Sequence, residues 1–189
     1  MTQQQSNQQV KLLYILFQAG VNPQSAGQFL GAITNAINSQ FTEINILISS
    51  PGGSVFDGMN IAALIKASPI PINIHNVGQI DSIANVIFSA GTKRFAQKNS
   101  SFLFHGVVAN FGQYSLTEEQ LGERLVTLKR DRENIAKNIS DYTGIDYSTV
   151  DNLMKKGSII SAEEAKSMGL VHEIIEAKIP AGVQLVTIA

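Results

Sequence analysis

Three stretches of this chain hold residue types that could do acyl-transfer chemistry together: Pro51-Gly52-Gly53-Ser54, Gly78-Gln79-Ile80-Asp81-Ser82-Ile83-Ala84 and Phe102-Leu103-Phe104-His105. A serine hydroxyl becomes a useful nucleophile when a neighbouring imidazole takes its proton, and the resulting oxyanion needs N–H donors already in place. Ser82 is expected at the start of a short buried helix, where the helix dipole favours an anionic oxygen and the Ile83 amide is free to donate. His105 ends an apolar strand, where a general base could stand with its other ring nitrogen held by a partner. Gly52 and Gly53 follow a strand and open a helix, so unpaired backbone N–H groups there can point into a cleft. Two glycines also permit positive φ and the close approach of a bound chain.

Each feature has a plainer reading. Gly52-Gly53 could be an ordinary tight turn, Ser82 a helix N-cap with Asp81 also a fair candidate, and His105 a buried, hydrogen-bonded imidazole. A carboxylate at Asp81 works against a neighbouring oxyanion unless it points away. His75 and His172 lie in strands without a nucleophile signal nearby and read as structural. The orienting carboxylate that usually completes a serine site is not where it is expected.

The elements that must position these groups follow from periodicity. Val10 to Phe17 reads as a buried strand and Asn22-Pro23 starts a helix running to about Asn38. Ile44 to Ile48 is a second strand, followed by a helix from Val55 to Ala67 with Met59, Ala62, Ala63 and Ile65 as buried positions. Ile70 to Val77 is a third strand, ended by Gly78. Ser82 to Ala90 is the nearly all-apolar helix, closed by Gly91 as a left-handed residue. Lys93 to Ala96 and Ser101 to His105 are short strands, and Gly106 to Tyr114 is irregular or extended.

A long helix spans about Leu116 to Tyr142, with a capping box from Ser115 and Glu118 or from Thr117 and Gln120, and Gly144 at its end. Leu121, Leu125, Leu128, Ile135 and Ile139 line one side of it. Shorter helices stop at Gly157 and Gly169, and Leu170 to Ile175 and Val183 to Ile188 close the chain as strands. Repeated strand–helix alternation argues for an α/β domain with parallel strands. Residues 1–9 read as a polar, Gln-rich, disordered tail and 10–189 as a single domain.

The balance of 14 Lys plus Arg against 15 Asp plus Glu leaves no basic excess to neutralise phosphates, so nucleic acid is not the expected partner. The absence of cysteine removes disulfides and thiolate metal sites and fits a reducing, cytoplasmic setting. No apolar run approaches the roughly 20 residues a membrane span requires. An apolar share of 44% is generous for a soluble surface, and such chains often hide part of it in an oligomer.

The ordered set Ser49-Ser50-Pro51-Gly52-Gly53-Ser54-Val55, Gly78 to Ala84, Ala90-Gly91-Thr92-Lys93-Arg94-Phe95 and Phe104-His105 resembles the proteolytic subunit of the Clp protease, the ClpP family. Ser161-Ala162-Glu163-Glu164-Ala165 and Met168-Gly169-Leu170-Val171 extend the resemblance, which covers about residues 10–176. It implies an α/β, crotonase-like fold of repeated β-β-α units with a long protruding helix. It implies a serine peptidase with Ser82 as nucleophile, His105 as base, Gly53 and Ile83 N–H groups as oxyanion donors, and Gly52 and Ser54 bordering the substrate strand. It also implies a homo-oligomer, typically rings of seven subunits stacked face to face through the long helix around a chamber that takes polypeptide, without metal or organic cofactor.

Several positions depart from the pattern. The family's third catalytic residue, an Asp, falls on Gly157, followed by Ser158; Asp151 and Asp146 are the nearest upstream carboxylates and neither matches. Here the chain is similar to the ClpP-like proteases of phage head maturation, whose last triad member also deviates. Asp81 replaces a small residue and His172 an Asp. The Gln-rich start does not match the family's axial-loop segment, which leaves docking of a AAA+ unfoldase open. Alternatives are an inactive ring subunit, a Ser–Lys dyad drawing on Lys129 or Lys137, and a crotonase-type acyl-CoA enzyme.

Overall fold

The expected alternation forms one mixed sheet covered by helices in a computed structural model that describes residues 10–109, 112 and 115–189. The elements are β1 Leu12–Phe17, α1 Pro23–Asn38, β2 Glu43–Ser50, α2 Val55–Ala67, β3 Ile72–Asp81, α3 Ala84–Ser89, β4 Arg94–Ala96 and β5 Ser101–Leu103. They continue as α4 Glu118–Thr143, α5 Tyr147–Lys156, β6 Ile159–Ser161, α6 Ala162–Ser167, β7 Glu173–Ile174 and β8 Gln184–Ile188. The strand order is β6-β5-β3-β2-β1-β8, with β4 placed between β3 and β7. The expected tail over 1–9, and positions 110, 111, 113 and 114 of the segment expected to be irregular, lie outside the described residues.

Alternation within β2 and β3 sends Ile44, Ile46, Ile48, Ile72 and Ile74 into the core, where they are fully buried with Phe29 and Ile33 of α1 and Ile61 of α2. Each such side chain contributes about 1.5–3 kcal/mol by leaving water. Asn22 caps α1 through the N–H groups of Gln24 and Ser25, with Pro23 at the first helical position. In α2 the buried residues are Gly58, Ile61, Ala62 and Ile65; Ala63, expected inside, is exposed. The helix is apolar on several sides, so its pattern did not single out the face that the sheet would choose.

Two corrections bear on the site. β3 does not stop at Gly78 but continues to Asp81, because it changes partner on the way: Ile74–Asn76 pair with β4, and Gln79–Asp81 pair with β5. Gly91 is not left-handed; a Cβ there would stand 2.9 Å from the Ile74 side chain and 3.2 Å from the Lys93 carbonyl, so crowding asks for glycine.

The long helix α4 has Thr117 and Gln120 in a reciprocal capping box and Gly144 as a left-handed C-cap. Its second half buries Ile135, Ala136 and Ile139, whereas Leu121, Leu125 and Val126 in the first half are 50%, 52% and 67% exposed. The expected apolar line therefore leaves the body of the molecule partway along and projects from it. Arg132 on α4 reaches buried Asp151 on α5 at 2.5 Å, and Lys155 holds the other carboxylate oxygen at 2.6 Å.

The two imidazoles read as structural are bonded to backbone. His75 Nε2 lies 3.0 Å from the Ile175 carbonyl, and His172 Nδ1 accepts from the Arg94 N–H at 3.1 Å. Burial lowers the pKa of each below its ordinary value of 6.5, and the Arg94 charge lowers that of His172 further. The folded chain thus binds these protons less readily than the unfolded chain. Stability is complete above the ordinary imidazole range and is lost as pH falls through it toward the lowered folded values. Thermal unfolding across a pH series should show the melting temperature falling on acidification, and His75→Gln should flatten part of that slope. An unchanged slope would place the pH dependence elsewhere.

Candidate active site

The Gly52-Gly53 turn is held from two sides. Ser50 Oγ accepts from the Gly52 N–H at 3.2 Å and donates to the Ala19 carbonyl at 2.7 Å. Gly52 O accepts from the Val21 N–H at 2.7 Å, and Val21 O accepts from the Ser54 N–H at 2.8 Å. The Gly52 amide is therefore spent, while among the described residues the Gly53 N–H meets no acceptor. Both glycines have positive φ, 79° and 144°. A Cβ on Gly53 would lie 2.2 Å from the Val21 carbonyl oxygen, so no side chain fits there. Ser54 caps α2 by accepting from the Asp57 N–H.

Ser82 stands directly against this turn. A Cβ on Gly52 would fall 2.8 Å from Ser82 Cβ and 2.6 Å from the Asp81 carbonyl oxygen. Ser82 does not open the helix as expected. It sits between the end of β3 and α3 at φ 56°, a left-handed conformation that costs a serine about 1–2 kcal/mol. The N-cap of α3 is Ile83, without a side-chain cap bond, so neither Ser82 nor Asp81 serves as the cap. Among the described residues the Ser82 hydroxyl has no hydrogen-bond partner and the Ile83 N–H has no acceptor. With six residues, α3 is too short for a sustained dipole, so an anion at its start would depend on the local amides.

Asp81 is bonded along its own strand. Gln79 Nε2 donates to both of its carboxylate oxygens, at 3.0 and 2.9 Å, on a surface recess of about 450 Å³ that Gln18, Ser49 and Pro51 also line. Ile83 packs the turn after β3 against α2. Its side chain fills the place where a Cβ on Gly58 of α2 would stand, 2.3 Å from Cγ1.

The strand that carries His105 is tied to Ser82 by a bond from the Ser82 N–H to the Leu103 carbonyl at 2.9 Å, which follows the Asp81–Leu103 pairing of β3 and β5. His105 lies just past β5, and its Nδ1 is 2.6 Å from the Gly106 carbonyl. A carbonyl oxygen only accepts, so Nδ1 is the donor in this contact, and in the neutral ring the lone pair a general base needs falls on Nε2.

None of the carboxylates weighed from the sequence orients this ring. Asp151 is committed to Arg132 and Lys155. Asp146 caps the start of α5 through Ser148 and Thr149, a helix length of about 15 Å from Gly157. Lys137 pairs with Asp141 at 3.1 Å, and Lys129 is exposed. The β5–β6 ladder matches Leu103 with Ile159, and the Phe104 N–H donates to Ser158 O at 2.8 Å; carried one residue further, the register sets Gly157 opposite His105. Gly157 is the left-handed C-cap of α5 with open space where a side chain would be.

Sequence reasoning missed Asn85, whose amide bonds both the Ser82 and Leu103 carbonyls. The signal available was one carboxamide in an otherwise apolar helix.

The family model described as Clp protease matches residues 2–178 of the chain. Among solved structures, a mutant ClpP1 from Listeria monocytogenes superposes with a TM-score of 0.78 at 24% identity, covering 87% of this chain and 92% of that one. That likeness shows a common fold, and with the family model spanning nearly the whole sequence, the chain belongs to the Clp protease family.

Proposed function

We propose that this protein is a serine endopeptidase whose nucleophile is Ser82. The observation that carries the reading is an unbonded hydroxyl on a strained left-handed turn, flanked by the unpaired N–H groups of Gly53 and Ile83 and tied to β5, two residues before His105. Strain retained at one serine, with neighbouring donors left open, is the pattern of a site built for chemistry.

In the proposed reaction Ser82 Oγ bonds to the peptide carbonyl carbon as its proton passes to His105 Nε2. The carbonyl oxygen, now anionic, takes hydrogen bonds from Gly53 and Ile83. Collapse breaks the C–N bond, and the imidazolium gives its proton to the departing amine. Water, deprotonated by the same nitrogen, then attacks the acyl ester, frees the new carboxylic acid and restores the serine. The Gly106 carbonyl takes the orienting place on Nδ1, with Gly157 where the family pattern has Asp. A neutral acceptor fixes the tautomer but stabilises the imidazolium less than a carboxylate does, so we expect a slow peptidase. Gly52 and Ser54 act through the shape of the turn, since their own N–H groups are bonded within it.

The reading extends to one peptidase domain over 10–189, close to the phage-type members. It acts on unfolded or short polypeptides inside a cytoplasmic homo-oligomeric ring of seven or two sevens, with a AAA+ unfoldase as a partner still to be sought. Family membership supports the ring, as does the exposed apolar line on the outer half of α4.

A fluorophosphonate probe tests the centre of the proposal. The adduct should map to Ser82 and should be lost in His105→Ala. No labelling of an intact oligomer would favour an inactive ring subunit, the reading that Gly157 supports. Labelling that survives in His105→Ala would transfer the base role to another group, such as a lysine.

A further inference from the structure

Helix α3 is apolar apart from Asn85 and Ser89, and Asn85 is fully buried in it. Its Nδ2 donates to the Ser82 carbonyl at 3.1 Å and to the Leu103 carbonyl at 2.9 Å. Two carbonyl acceptors fix which way the amide faces, since only the NH₂ end can serve them. The Oδ1 atom, equally buried, has no partner among the described residues.

That orphan oxygen is the informative feature. A buried acceptor with nothing to accept loses its hydration without recompense, whereas an alanine methyl would fit an apolar helix at no such cost. The stability of α3 therefore does not explain an asparagine at this position. The NH₂ group does explain it. One end of the bridge is the backbone of Ser82, and the other is the backbone two residues before His105. The Ser82 N–H already donates to the Leu103 carbonyl at 2.9 Å. That bond continues the β3–β5 pairing of Gln79–Asp81 with Ser101–Leu103, and Asn85 adds a side-chain tie at the last rung, where the ladder ends and the chain runs on to His105.

We propose that Asn85 is a positioning residue that sets the separation of the Ser82 hydroxyl from the His105 ring. This rests on the assignment of those two groups under the proposed function. Asn85 touches neither substrate nor the reacting atoms; it acts on the backbones that carry them.

Kinetics of Asn85→Ala in the full oligomer test the role. We expect kcat for a fluorogenic peptide to fall by about 10–100-fold, the usual cost of small misplacements of reacting groups. KM should stay within about twofold, and the melting temperature should hold or rise because the orphan oxygen is gone. Asn85→Ser, which keeps one donor, should fall between. In a His105→Ala background Asn85→Ala should lower the residual rate no further, because there is no base left to position.

A variant with wild-type kcat overturns the proposal. So does a variant that melts lower or fails to fold, which would make Asn85 a structural residue, and so does an additive loss in the double variant. A wild-type protein that neither hydrolyses the peptide nor reacts with a fluorophosphonate brings down the Ser82–His105 assignment itself. An active wild type with an indifferent Asn85 brings down this inference alone.

Discussion

Ser82→Gly should cut hydrolysis by at least about 100-fold and raise the melting temperature of the same protein. The first effect follows from losing the nucleophile, the second from relieving a backbone held at φ 56°. The strain costs a serine about 1–2 kcal/mol. Glycine releases it but adds roughly 0.4–1 kcal/mol of unfolded-chain entropy. The remainder, about 0.8 kcal/mol from the middle of each range, corresponds to a rise of about 2–3 °C in a chain of this size. Ser82→Ala removes the hydroxyl and keeps the strain, so its activity should be lost with little change in melting temperature. Equal melting of the glycine and alanine variants would contradict the strained turn, and hydrolysis at the wild-type rate in either would remove Ser82 from the mechanism.

The size of the activity loss carries its own information. Removing the serine from a complete triad costs about 10⁶ in turnover, and removing the acid alone about 10⁴. A site that already lacks its carboxylate has as little as about 10² left to lose. A loss near that floor would mean the Gly106 carbonyl orients the ring and does little more. A loss approaching the full value would mean that this carbonyl replaces the missing carboxylate almost entirely.

What the sequence disclosed and what it hid divide along a physical line. Features governed by neighbours in the chain were legible. The bounds of α2 from Val55 to Ala67, the Thr117–Gln120 box and the left-handed Gly144 and Gly157 all follow from local capping and periodicity. Features governed by distant partners were not. β3 passes through Gly78 because β5 receives its second half, and nothing between Ile70 and Asp81 announces that exchange. Gly91 owes its identity to Ile74 and Lys93, not to a helix end. The buried face of α2 depended on the sheet it would meet.

The candidate site repeats this division. Ser82, His105 and the glycine pair could be named from residue types and family spacing. Their relation to one another could not. That the Gly53 amide is the open one, because Ser50 consumes that of Gly52, is a fact about a hydroxyl two residues upstream. Asp81, troubling in the sequence, is engaged by Gln79 along the strand, a pairing that its neighbours in the chain did not announce. Asn85 had no local reason to exist, and its reason appears only when the carbonyls of two separate segments meet at its amide.

Gly157→Asp should raise kcat, by about tenfold at least and by no more than the roughly 10⁴ that an orienting carboxylate is worth in such sites. The β5–β6 register, continued through the bond from the Phe104 N–H to the Ser158 carbonyl, brings position 157 opposite His105. A Cβ added there meets nothing within 4 Å, so room is not the obstacle. The backbone at φ 65° is left-handed, and Asp and Asn are the residues besides glycine that visit it most readily. The substitution should therefore cost only about 1 kcal/mol of stability. Gly157→Asn imposes the same shape without the charge; it should melt like the Asp variant and gain much less activity. Gly157→Asp combined with His105→Ala should forfeit the gain, because a carboxylate can help only through the ring it holds. The gain is also bound to the loss measured at Ser82. If the Gly106 carbonyl already does most of the work, Ser82→Gly will cost much and Gly157→Asp will return little. If it does not, the loss will be small and the gain large. Two small effects together would mean that the imidazole at 105 does not serve the hydroxyl at 82.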